Sequence, residues 1–285
     1  MNRYPSLGVW LTANRNSADG LVLDVDGVLV RGRETVPDAN AFISQLRAGN
    51  VPFVLLTNDG SHSRKERSDE LCGAGVAVAP DEIVSSSDAL GAAAARLGLD
   101  GGRFFVMGTV GNPCYAEAAG LRTTRSPDDL SGDGCDGVIV GEGHYDWERT
   151  VNGVINFFAA HPDAVMIVPN PDGYYPGAND SIYVAAGGLA RFMVRILAEH
   201  GVSVSPVYLG KPHGPVFEYA HRELERKTGR SLARPRIVMV GDSLDSDVAG
   251  ARAFGYRAAL VLTGVTRPDR VADADPQPDL VFDTL

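Results

Sequence analysis

Residues 21–28 read LVLDVDGV, a short apolar run that leads directly into two aspartates and a glycine. A brief apolar stretch bounded by turn residues is typical of a buried strand in a parallel sheet. Strand alternation would place Asp24 and Asp26 on the same side of the chain, where their carboxylates repel each other unless a cation or a proton lies between them. One could then ionise while the other works as an acid and base, although a strand that ends in a solvated acidic turn explains this stretch equally well.

Beyond this run, strand and helix signals alternate along the chain. The pattern predicts a helix over residues 37–48 and a second buried strand over 52–57, and it favours an α/β fold with a parallel sheet. A unit with strands and helices of its own is predicted over residues 89–205. We therefore expect one domain, formed by residues 1–88 and 206–285, that is interrupted by another.

Two further motifs follow predicted strands. Thr57 and Asn58 end the second strand, where a hydroxyl and a side-chain amide could donate hydrogen bonds to a phosphoryl oxygen, although both residue types also cap turns. Lys211 lies between an apolar strand and Pro212. A buried ammonium there would need an anionic partner, and a lysine in a surface loop is the alternative. Because ligands bind at the carboxyl edge of open parallel sheets, we expect these side chains near the acidic pair.

The last motif is an acidic segment that follows a predicted strand over residues 236–240. It reads GDSLDSD over residues 241–247 and places Asp242, Asp245 and Asp247 within six residues. Carboxylate oxygens at the end of a strand suit a Mg²⁺ site. The alternative is an N-capped helix start, where acids interact favourably with the helix dipole, and Asp245 fits that role well.

The composition argues against several classes of function. The 285 residues carry 26 basic and 36 acidic side chains, and the net charge of −10 disfavours a nucleic-acid-binding surface. An anionic substrate is compatible with this charge, because a bound divalent cation would reverse it locally. No apolar run approaches the ~20 residues of a membrane span, the first twenty residues lack a signal-peptide pattern, and the three cysteines have no disulfide spacing. We expect a cytoplasmic protein with free thiols and no membrane partner.

In this order, the four motifs resemble those of the haloacid dehalogenase (HAD) superfamily of aspartate-nucleophile hydrolases, and the resemblance covers nearly the whole chain. The insert that precedes Lys211 contains Asn170-Pro171-Asp172 and resembles the large α/β cap of subclass IIA, the NagD or para-nitrophenylphosphatase type. The resemblance implies a Rossmann-like core with a parallel sheet and an inserted α/β cap domain of the C2 type. The second motif of that subclass often runs Thr-Asn-Asn-Ser. Here Asp59-Gly60-Ser61 replaces its tail, a change that leaves the Thr-Asn pair intact.

The resemblance also implies a Mg²⁺-dependent phosphatase that hydrolyses small phosphomonoesters. Asp24 would attack phosphorus and form an aspartyl-phosphate, which splits the transfer into two steps. Asp26 would protonate the leaving oxygen and then deprotonate the attacking water. Thr57, Asn58 and Lys211 would hold the phosphoryl oxygens.

For the metal, the resemblance implies that Mg²⁺ is held by Asp24, by the main-chain carbonyl of Asp26 and by Asp242. Asp247 would be a further ligand or would support the ligands from behind. The carboxylate of Asp26 also marks the phosphatases of the family, since the dehalogenases lack an acid two residues after the nucleophile.

The cap would determine the substrate by closing over the site. Asn170 and Asp172 are candidates for substrate binding, as are Tyr174 and Tyr175, although a turn with exposed tyrosines is the alternative. Three more residues could face the site but are explained better by packing, namely His144, Tyr145 and Trp147. The expected partner is a small phosphorylated metabolite, and the resemblance suggests a homodimer that forms through the cap.

Other classes of function fit less well. Phosphonate cleavage would need a Schiff-base lysine in the cap, and no lysine occurs between Lys65 and Lys211. A receiver domain would be less than half this length, and a nucleotide-binding oxidoreductase needs a glycine-rich loop after its first strand. The main alternative is an inactive or regulatory phospho-ligand-binding paralogue, which we expect to have lost a motif residue, whereas all of them are present here.

Overall fold

A computed structural model of the chain describes residues 2–14, 17–131, 134–143, 145–176 and 181–285. The chain divides into two compact units. The core unit comprises Met1–Thr57, Arg64–Val84 and Lys211–Leu285, and the inserted unit comprises Asn58–Ser63 and Ser85–Gly210. The domain boundaries expected at residues 88/89 and 205/206, and the role of the insert as a cap, stay predictions.

Strands and helices alternate through most of the described chain. The strands are β1 (Asn2–Ser6), β2 (Gly20–Leu23), β3 (Val30–Arg31), β4 (Glu34–Thr35), β5 (Phe53–Thr57), β6 (Ile83–Ser85), β7 (Arg103–Met107), β8 (Arg122–Thr124), β9 (Gly137–Val140), β10 (Val165–Val168), β11 (Tyr174–Pro176), β12 (Ile182–Val184), β13 (Val207–Tyr208), β14 (Ile237–Gly241), β15 (Arg257–Val261) and β16 (Leu280–Thr284). The helices are α1 (Leu7–Ala13), α2 (Ala39–Ala48), α3 (Arg64–Gly73), α4 (Leu90–Arg96), α5 (Tyr115–Ala118), α6 (Asn152–Ala160), α7 (Ala186–Glu199), α8 (Gly214–Thr228) and α9 (Ala249–Phe254).

The core unit is built on a seven-stranded sheet with the order β1-β16-β15-β14-β2-β5-β6. Strand β2 pairs in parallel with β5 on one side and β14 on the other, so that Leu23 lies opposite Leu55 and Val240. Every residue of these three strands is buried. Their nearly continuous apolar sequences follow from this position, because a central parallel strand is covered on both faces.

Two hydrophobic clusters cover the core sheet. Leu23 belongs to one cluster and its neighbour Val22 to the other, so strand alternation places the clusters on opposite faces. Helix α2 contributes Phe42, Ile43 and Leu46 to the first. Helix α8 contributes Val216, Phe217, Ala220 and Leu224 to the second. The helical spacing of these residues follows from the single apolar stripe that each helix buries.

Strand β1 is an element that the sequence pattern did not predict. It pairs in parallel with β16 at the edge of the sheet, with Tyr4 opposite Phe282. The two rings stack with centroids 5.6 Å apart, and Trp10 of α1 meets Phe282 edge-on at 5.8 Å. An edge strand exposes one side to solvent, so its residues need not be apolar and its sequence gives a weak signal.

The inserted unit has a five-stranded parallel sheet with the order β13-β10-β9-β7-β8. Helices α6 and α7 share one hydrophobic cluster with it, and α4 belongs to another. Strands β11 and β12 form a separate antiparallel pair. Within the described ranges, no helix combines the length and the apolar character that crossing a membrane requires.

Candidate active site

The carboxyl ends of β2, β5 and β14 lie side by side in the core unit, and each carries a residue that the sequence motifs predicted. Asp24 follows β2, and its N–H donates to the carbonyl of Val240 at 2.8 Å, which extends the pairing with β14 by one residue. Thr57 is the last residue of β5, and Asp242 follows β14. Parallel pairing therefore brings these positions to one edge of the sheet.

Three predicted metal ligands meet at this edge in a carboxylate cluster formed by Asp24, Asp242 and Asp247. One oxygen from each side chain lies within 4.8 Å of the others, and the residues are 7%, 4% and 0% exposed. Asp247 is held from behind, because its Oδ2 accepts hydrogen bonds from the N–H groups of Asp242 at 3.2 Å and Ser243 at 3.1 Å. Asp245 in the same segment is exposed and is not part of the cluster.

Lys211 supplies positive charge to the cluster. Its Nζ lies 2.5 Å from Asp24 Oδ1 and 2.8 Å from Asp247 Oδ1. The residue is 2% exposed, so the alternative of a lysine in a surface loop is wrong. A buried ammonium requires such anionic partners, since an unpaired charge in the interior is very unfavourable.

The charges of the cluster do not balance, because three carboxylates face one ammonium. Burial raises the pKa of Asp24 well above its ordinary value, the charge of Asp247 raises it further, and Lys211 opposes both. Burial and Asp247 likewise raise the pKa of Asp242 to about 7. Burial alone would lower the pKa of Lys211, but Asp24 and Asp247 outweigh it and raise that pKa above its ordinary value.

The surroundings of the cluster fit a divalent cation. Glycines surround the carboxylates: a Cβ added at Gly27 or Gly264 would lie 2.0 Å or 1.7 Å from Asp242 Oδ2, and one at Gly241 would lie 2.1 Å from Asp247 Cγ. Only residues without side chains leave room for the acids at these points. Excess negative charge and hard oxygen donors together suit a divalent cation such as Mg²⁺.

Asp26 lies at the same edge, but its carboxylate is not part of the cluster. The side chain is 55% exposed, and both of its oxygens accept hydrogen bonds of 2.8 Å from Arg67 Nη2 on α3. The backbone around it is fixed, because the N–H of Gly27 donates to the carbonyl of Val30 at 2.7 Å and Thr263 Oγ1 donates to the carbonyl of Gly27 at 2.6 Å. Gly27 has a φ of 81°, which favours glycine.

In the inserted unit, the remaining predicted site residues form one chain of hydrogen bonds. Asn58 Nδ2 donates to Asp172 Oδ1 at 3.1 Å, and the N–H of Asp172 donates to Asn170 Oδ1 at 2.9 Å. Asn170 Nδ2 then donates to Glu142 Oε1 at 2.5 Å. Burial raises the pKa of Glu142, while the bonds from Asn170 and from the Ala186 backbone oppose this change.

The other candidate residues of the inserted unit differ in their exposure and contacts. Tyr174 and Tyr175 are exposed on the β11–β12 hairpin. Tyr145 donates from its hydroxyl to the carbonyl of Gly141 at 2.5 Å. The ring of Trp147 lies 5.5 Å from that of Phe192, and His144 lies outside the described residues.

The sequence motifs did not reveal Arg67, Glu142 or Gly264. Arg67 had a weak signal, because a cation in the first turn of a helix lies at the positive end of the helix dipole and needs a reason to be there. Glu142 and Gly264 had none, since their contacts join segments that are far apart in the sequence.

Several known proteins are similar to this chain in both sequence and fold. A haloacid dehalogenase-like hydrolase family model matches residues 21–122, and a HAD-hydrolase-like model matches residues 208–285. The ribonucleotide monophosphatase NagD of Escherichia coli is 27% identical over 93% of this chain and 96% of its own. The solved structure of NagD matches with a TM-score of 0.78 at 26% identity, over 94% of this chain and 96% of its own.

Two further relatives of this chain are also phosphatases. The sugar-phosphatase AraL of Bacillus subtilis is 27% identical over 90% of this chain and 91% of its own. The glycerol phosphate phosphatase Rv1692 of Mycobacterium tuberculosis, solved in complex with magnesium, matches with a TM-score of 0.78 at 25% identity, over 93% of this chain and 74% of its own. The chain therefore belongs to the haloacid dehalogenase-like hydrolases.

Within that family it falls in the NagD-like subclass IIA, as the motifs predicted. The predicted fold class is confirmed, since the two parallel sheets match solved structures with a Rossmann-like core and a cap. The predicted enzyme class, a phosphoric monoester hydrolase, is confirmed as well.

Proposed function

We propose that this chain is a Mg²⁺-dependent phosphatase of small phosphorylated metabolites, with Asp24 as its nucleophile. The observation that supports this most is the contact of Lys211 Nζ with Asp24 Oδ1 at 2.5 Å inside a buried cluster of three carboxylates. An ammonium beside the attacking carboxylate would reduce the repulsion between that group and an incoming phosphoryl dianion.

The two oxygens of Asp24 have different surroundings. Oδ1 accepts hydrogen bonds from Lys211 Nζ and, at 2.7 Å, from the N–H of Val25. These contacts fix the orientation of the carboxylate, and we assign the attack on phosphorus to Oδ2. A bond then forms between Oδ2 and phosphorus while the bond from phosphorus to the leaving oxygen breaks.

Asp26 completes the proton transfers. We assign it the donation of a proton to the leaving oxygen, which takes the electron pair of the broken bond. The same carboxylate then accepts a proton from the water that hydrolyses the aspartyl-phosphate, which restores both aspartates. Its exposed position beside a buried nucleophile supports this assignment, because a proton donor must be reachable from solvent and substrate.

The cofactor is a divalent metal ion, and we propose Mg²⁺. Asp24, Asp242 and the main-chain carbonyl of Asp26 would hold it, with Asp247 as a further ligand or a support behind them. When bound, the ion would neutralise charge on the phosphoryl group and orient it for in-line displacement. The relative Rv1692 has been solved with magnesium and with calcium, and the hard oxygen donors of this cluster suit either ion.

We assign phosphoryl binding to Thr57, Asn58 and Lys211, and substrate binding to Asn170 and Asp172. Burial of Thr57 at the end of β5 and the hydrogen bond that orients Asn58 support this assignment. The relatives named above act on nucleotides, sugar phosphates and glycerol phosphate, so the substrate proposed here is a small phosphomonoester.

We also propose that the chain forms a homodimer through the inserted unit and works in the cytoplasm. The β11–β12 hairpin exposes a set of large apolar side chains that a second copy could cover, namely Tyr174, Tyr175, Ile182, Tyr183 and Val184. The free thiols of Cys72, Cys114 and Cys135 support a reducing compartment.

Hydrolysis of para-nitrophenyl phosphate tests the proposed function. The purified protein should release para-nitrophenol with Mg²⁺, and Asp24→Asn should abolish the release. The exposed Asp245 offers a matched control, because Asp245→Asn removes one charge from the same edge without touching the cluster. Turnover by Asp24→Asn would disprove the nucleophile, and turnover that persists in excess chelator would disprove the metal.

A further inference from the structure

Among the described residues of the core unit, a guanidinium on helix α3 contacts the carboxylate of Asp26, the proton donor assigned above. Arg67 Nη2 lies 2.8 Å from both oxygens of Asp26, and Arg67 Nη1 donates to Glu70 Oε2 at 2.9 Å. The Arg67 side chain is 13% exposed, whereas that of Asp26 is 55% exposed. The guanidinium is thus largely buried and contacts two carboxylates, whereas the Asp26 carboxylate is largely exposed.

The position of Arg67 in its helix is unfavourable for a cation unless an anionic partner compensates for it. It is the fourth residue of α3, which begins at Arg64, and cations are disfavoured near the positive end of the helix dipole. Its neighbour Lys65 avoids this conflict by pairing on the surface with Asp69 at 2.6 Å. Arg67 pairs within the helix as well, with Glu70, but it also contacts Asp26, a residue 41 positions away in the sequence.

We propose that Arg67 is a positioning residue that fixes the direction of the Asp26 carboxylate for proton transfer. The backbone of Asp26 is already held by its bridge to Val30, so the side-chain rotamer is the freedom that remains. A proton donor must lie within hydrogen-bond reach of the leaving oxygen, and an exposed carboxylate that samples several rotamers would meet this condition for only part of the time. The inference rests on the role of Asp26 in the proposed function.

Loss of positioning should show in how the rate depends on the leaving group. A strongly basic leaving oxygen needs a proton as its bond to phosphorus breaks, whereas para-nitrophenolate leaves readily without one. This dependence can be measured with aryl phosphates whose phenols have different pKa values. The slope of log kcat/KM against the pKa of the phenol reports how much the reaction depends on the proton donor. A helix that was merely loosened would lower the rate for every ester alike and leave the slope unchanged.

The experiment compares the wild type with five variants on para-nitrophenyl, phenyl and para-methoxyphenyl phosphate. We expect Arg67→Met to steepen the slope, with phenyl phosphate losing about tenfold relative to para-nitrophenyl phosphate, a part of the ~10²–10⁴ that a proton donor supplies. Arg67→Lys, which keeps the positive charge and N–H donors on a single nitrogen, should restore part of the loss. The matched control Lys65→Met should behave as the wild type.

Asp26→Asn separates this inference from the proposed function. It should steepen the slope more than Arg67→Met does, and adding Arg67→Met to it should cause no further change. An unchanged slope in Asp26→Asn would overturn the role of Asp26 itself. A steeper slope in Asp26→Asn together with a wild-type slope, or a shallower one, in Arg67→Met would overturn the inference about Arg67 alone. If Arg67→Met does not fold, the slope of Arg67→Lys decides between the same outcomes.

Discussion

Lys211 Nζ lies 2.5 Å from Asp24 Oδ1, and both groups are buried at the carboxyl edge of the core sheet. The pair is one part of a cluster in which three carboxylates compete for a single ammonium. Because of this imbalance, the carboxylates that form the site also destabilise the folded protein. A bound cation would relieve this repulsion. Much of the behaviour of the protein should follow from how that charge is supplied.

Removing the ammonium should affect both stability and catalysis. Lys211→Met leaves the buried carboxylates without a counter-charge, and breaking a buried ion pair in this way costs about 3–5 kcal/mol. We expect a clear fall in Tm in the presence of chelator and a smaller one with Mg²⁺. We also expect kcat to fall by about 10²–10³-fold, the range typical of a lost electrostatic stabiliser. Thermal melts and para-nitrophenyl phosphate kinetics check these outcomes, and an unchanged Tm in chelator would contradict the first.

Neutralising one carboxylate should have the opposite effect on the metal-free protein. Asp242→Asn keeps the shape of the side chain but removes one of the repelling charges, so in chelator its Tm should equal or exceed that of the wild type. The wild type should gain stability from Mg²⁺ by mass action, about 2.7 kcal/mol at 100 times Kd, and Asp242→Asn should gain much less. Asp245→Asn is the matched control and should keep the full gain. A full Mg²⁺ response in Asp242→Asn would remove that residue from the metal site.

The inserted unit allows a test of pH dependence through Glu142. Burial raises the pKa of this carboxyl above its ordinary value of 4.5. Its contribution to stability is therefore fully present below about pH 4.5 and is lost as pH rises through the folded-state pKa, because the unfolded chain ionises first. Glu142→Gln does not titrate, so its stability relative to the wild type should increase as pH rises from about 4 to 7. Denaturant melts across this range measure the difference. A difference that is flat or that falls with pH would contradict the burial of an ionisable group here.

The sequence predicts the residues of the motifs better than it predicts the residues that contact them. The strands that carry Asp24, Thr57 and Asp242 were predictable because central parallel strands have continuous apolar sequences. Their convergence followed from a general property of such sheets, since the carboxyl ends share one edge. The pairing of Asp26 with Arg67 was not predictable, because tertiary packing brings these two residues together. Such packing leaves no periodic pattern in the sequence. Strand β1 gives a weak signal for a related reason, since an edge strand that contacts one neighbour needs little apolar sequence.

The glycines around the cluster provide the sharpest steric test. A Cβ at Gly264 would lie 1.7 Å from Asp242 Oδ2 and 2.4 Å from its Cγ, so Gly264→Ala must displace that carboxylate. Because the backbone there needs no left-handed conformation, the effect should come from this displacement and not from strain at the substituted residue. We expect the Mg²⁺-dependent rise in Tm to shrink and kcat/KM to fall by about 10²-fold or more, as for other losses of aligned charge. Gly73 is the matched control, since a Cβ there meets nothing within 4 Å, and Gly73→Ala should change stability by less than about 1 kcal/mol. Wild-type turnover and a wild-type metal response in Gly264→Ala would show that Asp242 need not hold its observed position, and the metal site proposed here would then be wrong.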